Sequence, residues 1–158
     1  MPLHLTPLTS EEFPGWLTKS QTEYQSDLVA TGLSPAESLA RAAQSIQGAF
    51  PEGSPHPTKA VFHLIDNEGS VVGYLWVGRD QSDDPTSWWV WDIFVEPSYR
   101  GRGFGRVGMQ LAEEYAVSHG ATTLGLNVFG FNHAARGLYE SLGYETTSVK
   151  MRKTLTAP

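Results

Sequence analysis

The run Trp88-Trp89-Val90-Trp91-Asp92-Ile93-Phe94-Val95 leads through Glu96-Pro97-Ser98-Tyr99 into Arg100-Gly101-Arg102-Gly103-Phe104-Gly105-Arg106. An apolar strand, a glycine-rich basic turn and a helical pattern in direct succession leave few folds open. If another strand follows the helix, it returns parallel to the first. Gly103 and Gly105 let successive N–H groups stand free of side chains, and the helix adds its unpaired first-turn donors and the positive end of its dipole. Arg100, Arg102 and Arg106 crowd this turn in a chain with only 11 Lys plus Arg. Charge gathers where the backbone donors converge, so the turn reads as an anion site suited to phosphate.

The flanking patterns extend this unit. A strand is expected from Leu3 to Leu8, and Thr9-Ser10-Glu11-Glu12 reads as a helix start ahead of Phe13, Trp16 and Leu17. After the break at Thr31-Gly32-Leu33, Ser34 with Pro35 and Glu37 opens a second helix carrying Leu39, Ala43 and Ile46 on one side, closed by the segment 51–57. Strands at Ala60 to Ile65 and Val71 to Gly78 flank a tight turn, and Arg79 to Ser87 reads as a polar, mobile loop. Beyond the aromatic strand come a helix from Gly103 to His119, a strand from Thr122 to Phe129, and a short helix capped by Asn132. A final strand is expected from Tyr144 to Leu155. The order is β-α-α-β-β-β-α-β-α-β, an α/β mixed sheet with strands 88–95 and 122–129 parallel.

Composition narrows the functions. At 158 residues the chain suits a single domain, 1–158, with one sizeable core. No apolar run reaches the roughly 20 residues that span a bilayer, and the opening residues lack a basic stretch followed by an apolar core, so a cytoplasmic protein without membrane contact is expected. Zero cysteines exclude disulfides, thiolate metal sites and a cysteine nucleophile. Five scattered histidines offer no metal-ligand spacing, and no metal is expected. A net charge of −6 argues against nucleic acid and for a cationic small molecule or a basic peptide.

Two motifs then identify the chain as resembling the GNAT superfamily of acyl-CoA-dependent N-acyltransferases, over roughly Trp88 to the end of the sequence. The pyrophosphate signature Q/R-x-x-G-x-G/A is similar to Arg100-Gly101-Arg102-Gly103-Phe104-Gly105, with Val95-Glu96-Pro97 as its lead-in. The signature N-x-x-A-x-x-L-Y-x-x-x-G-F/Y matches Asn132 through Tyr144, with Ala135, Leu138, Tyr139, Gly143 and Tyr144 in register. The resemblance implies the GNAT fold with a central splayed parallel strand pair, and acetyl-CoA as cosubstrate. It implies that the backbone of Ile93, Phe94 and Val95 pairs with the pantetheine arm, and that Arg100, Gly101, Arg102, Gly103, Phe104 and Gly105 hold the pyrophosphate. Asn132 would contact the cofactor arm, a role compatible with capping its helix. Tyr139 would sit by the thioester sulfur, where a phenol of pKa about 10 can protonate a departing thiolate; the alternative is an aromatic packed on the sheet.

The acceptor side is less defined. An amine of pKa near 10.4 must lose its proton before attack, which at pH 7 costs about 3.4 pK units, or roughly 4.6 kcal/mol. The positions that commonly supply a carboxylate base in the family hold Trp89 and Asn127 here, and neither accepts a proton. Asp92 is the best remaining candidate and matches an acidic position of members that acetylate polyamines. Glu96 and a water chain are the alternatives, and Asp92 as a buried carboxylate holding backbone N–H groups is another. Trp88, Trp89 and Trp91 form either a packed sheet face or an aromatic wall for an amine, with Trp89 and Trp91 on one side and Trp88 on the other unless a bulge intervenes.

The expected activity is transfer of acetyl to a primary amine of a small molecule or peptide by direct attack in a ternary complex. The acceptor would touch the two N-terminal helices and the loop 79–87. The competing reading is a non-catalytic acyl-CoA-binding or sensing module of the same fold. A dinucleotide site would need G-x-G-x-x-G after an early strand, a pattern that Gly101, Gly103 and Gly105 do not make. A homodimer is compatible with the chain.

Overall fold

The computed structural model describes residues 2–56 and 58–157. Its central strand, β3 (Val71–Arg79), is buried from Val72 through Gly78, as a strand covered on both faces must be. Around it lie β1 (Leu3–Pro7), α1 (Phe13–Ala30), α2 (Pro35–Ala49), β2 (Lys59–Asp66), β4 (Ser87–Val95), α3 (Phe104–Ser118), β5 (Thr123–Leu126) and α4 (His133–Ser141). The sheet runs β1-β2-β3-β4-β5, antiparallel except for the parallel pair β4 and β5.

Each face of the sheet has its own apolar layer. On one, Leu64, Leu75, Val77, Trp88 and Val90 pack on Met109, Ala112 and Ala116 of α3. Gly108 lets α3 sit this close, because a Cβ there would lie 2.9 Å from Ile93 Cδ1. On the other face, Phe13, Trp16, Ile46 and Phe50 cover Val61, Tyr74 and Trp76. The Trp16 ring meets Trp76 edge-on with centroids 5.6 Å apart, and meets Phe50 at the same 5.6 Å. Such edge-to-face pairs align a positive ring edge with a negative face.

Local chemistry places the helix ends where the sequence expects them. Thr9 and Glu12 cap reciprocally, with Thr9 N donating to Glu12 Oε1 at 2.9 Å and Glu12 N to Thr9 Oγ1 at 3.2 Å. Ser34 Oγ accepts from Glu37 N at 3.1 Å, and Asn132 Oδ1 from Ala135 N at 3.2 Å.

Several expectations need correction. The buried stripe of α2 is Ser38, Ala42 and Ile46, whereas Leu39 is 50% exposed. One helical position separates the two readings, and the helix turns Ser38, Ala42 and Ile46 to the core. In the loop before β4, side chains bond to nearby backbone and hydroxyl groups. Asp80 Oδ1 accepts from the Ser82 N–H and hydroxyl, and Asp84 Oδ1 accepts from those of Thr86. The strand expected over 122–129 is only Thr123–Leu126, since its partner turns away after Val90. The final strand expected from Tyr144 to Leu155 does not form: residues 145–157 are exposed and unpaired, so β5 is an edge strand and the parallel pair is not central. Arg152 Nη2 donates instead to the Thr31 carbonyl at 2.8 Å, at the end of α1.

Gly73 and Gly108 separate two kinds of close approach. A Cβ on Gly73 would lie 1.9 Å from the Phe94 carbonyl oxygen, which is backbone. Gly73→Ala is therefore expected to destabilise the fold by about 3 kcal/mol, lowering Tm by roughly 10 °C. Gly108→Ala, opposed by a movable methyl group, should cost much less. Thermal melts of both variants check the order.

Candidate active site

The site begins with one extra residue in β4. Trp76 faces Asp92 and Val77 faces Val90, so Trp91 is bulged between them. A bulge bends its strand and increases local twist. The ladder between β4 and β5 accordingly stops at Val90↔Leu126, and the edge of β4 from Trp91 to Val95 is left without a strand partner on that side. Ile93, Phe94 and Val95 lie on this parted edge. The Val95 carbonyl is already engaged, accepting from Arg100 Nε at 2.8 Å, and the Phe94 carbonyl lies against Gly73 of β3, so the freer backbone is that of Ile93 and the N–H of Val95.

β4 ends in a single 3-10 turn, Pro97–Tyr99, and the chain then enters α3 through Gly101 and Gly103, with φ of 78° and 80°. Both lie in the left-handed region, where a side chain is disfavoured, and a Cβ at either would meet nothing within 4 Å. Gly103 caps α3 without a side-chain acceptor. Among the described residues, the N–H groups of Phe104, Gly105 and Arg106 have no backbone acceptor, Val107 N being the first to find one, in Gly103. Arg100 lies over the Phe94 ring at 5.2 Å and Arg102 over Tyr99 at 5.4 Å. Arg106 turns away, donating from Nη2 to Ser141 Oγ at 2.7 Å, and so ties α3 to α4.

Asp92 projects toward α1. Its Oδ2 accepts from the Tyr74 hydroxyl at 2.8 Å and from Ser20 Oγ at 3.5 Å. Burial pushes the carboxyl up to about 6, opposed by the Tyr74 and Ser20 hydrogen bonds and assisted by the negative charges of Asp27 and Glu23. Tyr139 on α4 is partly buried, and desolvation first, then the charge of Asp92, raises its hydroxyl above the usual phenol range. Asp92 and Tyr139 thus feel one another across the parted strands. Tyr74, squeezed between burial and Asp92, is held neutral.

Other sequence candidates go elsewhere. Glu96 is ion-paired with Lys19, which leaves it less free to take a proton than Asp92. Trp89 and Trp91 share a face with ring centroids 6.2 Å apart, and Trp88 packs on the α3 side beside Tyr115 and His119. Trp91 stacks on Trp76 at 5.8 Å, and its Nε1 donates to the Arg79 carbonyl at 3.2 Å. Trp89 lies over Gly125, where a Cβ would come within 2.3 Å of the ring. Asn127 is exposed, and Asn132 caps α4. Tyr74, Ser20, Glu23 and Asp27 were not singled out from the sequence. The available signal was Ser20, a polar residue four positions after Trp16 on the buried stripe of α1.

A sequence model of the acetyltransferase (GNAT) family matches residues 13–144. YycN of Bacillus subtilis (strain 168), named an uncharacterized N-acetyltransferase, is 31% identical over 98% of this chain and 100% of its own length. YdgE of the same organism, named likewise, is 26% identical over 98% of this chain and 99% of its own. The crystal structure of Bacillus subtilis YycN superposes with a TM-score of 0.90 at 30% identity, covering 98% of this chain and 99% of that one. The aminoglycoside N-acetyltransferase AAC(6')-Iy, solved with the bisubstrate analog CoA-S-monomethyl-acetylneamine, shares the fold with a TM-score of 0.61 at 16% identity, over 98% of this chain and 99% of its own.

The raised carboxyl makes a stability prediction. A folded-state value near 6 against about 3.9 unfolded means that the contribution of Asp92 to stability is fully present below pH 4 and is lost as pH rises through 6. Asp92→Asn, which keeps an acceptor for Tyr74, is expected to raise stability at pH 8 by up to about 3 kcal/mol, the gain vanishing near pH 4. Melts across that range test this; a lower Tm for the variant at pH 8 would make Asp92 a structural anchor instead.

Proposed function

Because the chain belongs to the acetyltransferase (GNAT) family, we propose that it is an acetyl-CoA-dependent N-acetyltransferase acting on a primary amine of a small molecule or peptide, by direct attack in a ternary complex, with residues 1–158 working as one domain. The observation that carries this reading is the unpaired β4 edge running straight into the open first turn of α3. The residues present fit the cosubstrate. Ile93 and the Val95 N–H offer strand-like partners to the amides of a pantetheine arm, while Gly101, Gly103 and the free N–H groups of Phe104, Gly105 and Arg106 form a cradle for a pyrophosphate. Arg100 and Arg102 add positive charge at its rim. A bisubstrate analog containing CoA bound to AAC(6')-Iy, a protein of the same fold, supports the assignment.

Acetyl-CoA, when bound, supplies an activated acyl carbon as a thioester. Asp92 then takes the proton that the acceptor amine must lose, and a carboxyl near 6 is mostly ionised at neutral pH while still basic enough to hold it. Tyr74 and Ser20 hold the receiving oxygen in place. Tyr139 donates its phenolic proton to the sulfur as the carbon–sulfur bond breaks and the carbon–nitrogen bond forms. Its raised pKa ensures that it carries that proton at neutral pH. Trp89 and Trp91 line the approach with aromatic faces that attract a cation. The pairing of a buried base with a protonated phenol favours turnover over the sensing module.

Tyr139→Phe is expected to lower kcat by about 100-fold with little change in acetyl-CoA affinity. For the parent enzyme, kcat/KM should fall tenfold per pH unit below about 6, as Asp92 is protonated, and Asp92→Asn should abolish that limb. Free-thiol release with a panel of amines measures both, and its absence across the panel would favour the sensing module. Arg100→Ala should weaken acetyl-CoA binding about tenfold by calorimetry; unchanged affinity would remove the loop from the site.

A further inference from the structure

A cavity that the proposed acetyl transfer does not use lies under the first two turns of α1. It measures about 170 Å³, smaller than the roughly 300 Å³ at which drug-sized sites begin, so it suits one small molecule. Neither Asp92 nor Tyr139 lines it. Glu12, Gly15, Trp16 and Lys19 line it at helical spacing, and the two turns from Glu12 to Lys19 set its length at about 10 Å. Leu8, Val71 and Tyr74 give it apolar walls.

A carboxylate meets a nitrogen base at each end of this chamber. Glu12 Oε2 lies 2.8 Å from His63 Nε2 at one, and Glu96 Oε1 is bonded by Lys19 Nζ at the other. Gly15 leaves the mouth open, since a Cβ there would meet nothing within 4 Å. Trp16 Nε1 is buried without an acceptor among the described residues, and an unpaired donor of that kind marks a wall where polar contact is missing. Tyr74 joins the cavity to the site described above: it lines the one, and its hydroxyl bonds Asp92 Oδ2 at 2.8 Å in the other.

The end at Lys19 and Glu96 holds unused bonding capacity. An ammonium has three donors and a carboxylate about four acceptor positions, yet among the described residues these side chains bond only through Nζ to Oε1. Positive and negative groups therefore stand side by side at the end of an apolar chamber. An α-amino acid carries the complementary set, with ammonium and carboxylate on one carbon and a side chain beyond them. We propose that the cavity binds a free α-amino acid with an apolar side chain, its carboxylate on Lys19, its ammonium on Glu96 and its side chain against Trp16, Leu8 and Val71. This site is separate from the one at which the acetyl group is transferred.

Titration of the full chain with L-valine, L-leucine and L-phenylalanine, followed by calorimetry and by the indole N–H resonances, tests the assignment. Two analogues of leucine separate the contacts, since 3-methylbutylamine lacks the carboxylate and 4-methylpentanoate lacks the ammonium. The expected result is saturable binding of at least one amino acid, with leucine about tenfold tighter than either analogue. Lys19→Met should weaken that binding about tenfold. Gly15→Leu, which puts a side chain across the mouth, should abolish it and leave acetyl-CoA affinity unchanged. Failure of all three amino acids to bind overturns the proposal. Equal binding of leucine and the amine analogue overturns it too, because the amine alone would then be recognised, as at Asp92. Binding that survives Gly15→Leu removes the cavity as its location. The comparison of leucine with its analogues needs only the wild type, so misfolding of a variant does not remove the test. None of these measurements requires turnover, and a chain that bound leucine but not acetyl-CoA would lose the acetyltransferase reading and keep this one.

Discussion

Much of the structure turns on where β4 and β5 stop sharing hydrogen bonds. Two parallel strands that remained paired to their ends would use every donor and acceptor on their facing edges. The extra residue at Trp91 bends β4 away after Val90, so the ladder ends while the strand continues toward Val95. That parting exposes strand edge in the middle of the protein rather than at its rim. Close by, the charge of Asp92 on β4 acts on Tyr139 of α4. The bulge puts Trp91 and Asp92 both on the α1 side of the sheet, beside Trp76 and Tyr74 respectively.

Electrostatics around Asp92 follow from burial more than from paired charge. Among the described residues, no Lys or Arg side chain is bonded to Asp92; two hydroxyls hold it, and its neighbours Glu23 and Asp27 are acidic. A carboxyl in such surroundings is poised near neutrality at a cost in stability, a common arrangement where a proton must be exchanged. The cations nearby are committed elsewhere, Lys19 to Glu96 and Arg100 to the Val95 carbonyl. An amine entering beside Trp89 and Trp91 would therefore meet negative charge with no internal competitor in contact with it. On the proposed mechanism this arrangement both attracts the protonated acceptor and relieves it of its proton.

The parting has a second consequence at the rim. Because β5 is only four residues long and pairs on one side, the sheet ends in an open edge, and the segment expected to close it runs off toward α1.

The residue pattern alone made most of the elements legible, along with the parallel return of the chain, the caps at Thr9, Ser34 and Asn132, and the glycine turn before α3. Each of these rests on contacts between near neighbours in sequence. Capping needs three residues, a left-handed turn needs a glycine, and alternation needs one strand. The alternation of Val149, Met151 and Leu155 was equally legible, yet it describes a strand only where another strand accepts it. What the tertiary structure decided depends on groups far apart in the chain. Tyr74 and Ser20 reach Asp92 from β3 and α1, Glu96 is taken by Lys19, and Leu39 gives way to Ala42 in the core. Desolvation of Asp92 is the clearest case. No pattern around position 92 encodes it, because a carboxylate loses water only when helices and strands from the rest of the chain close over it.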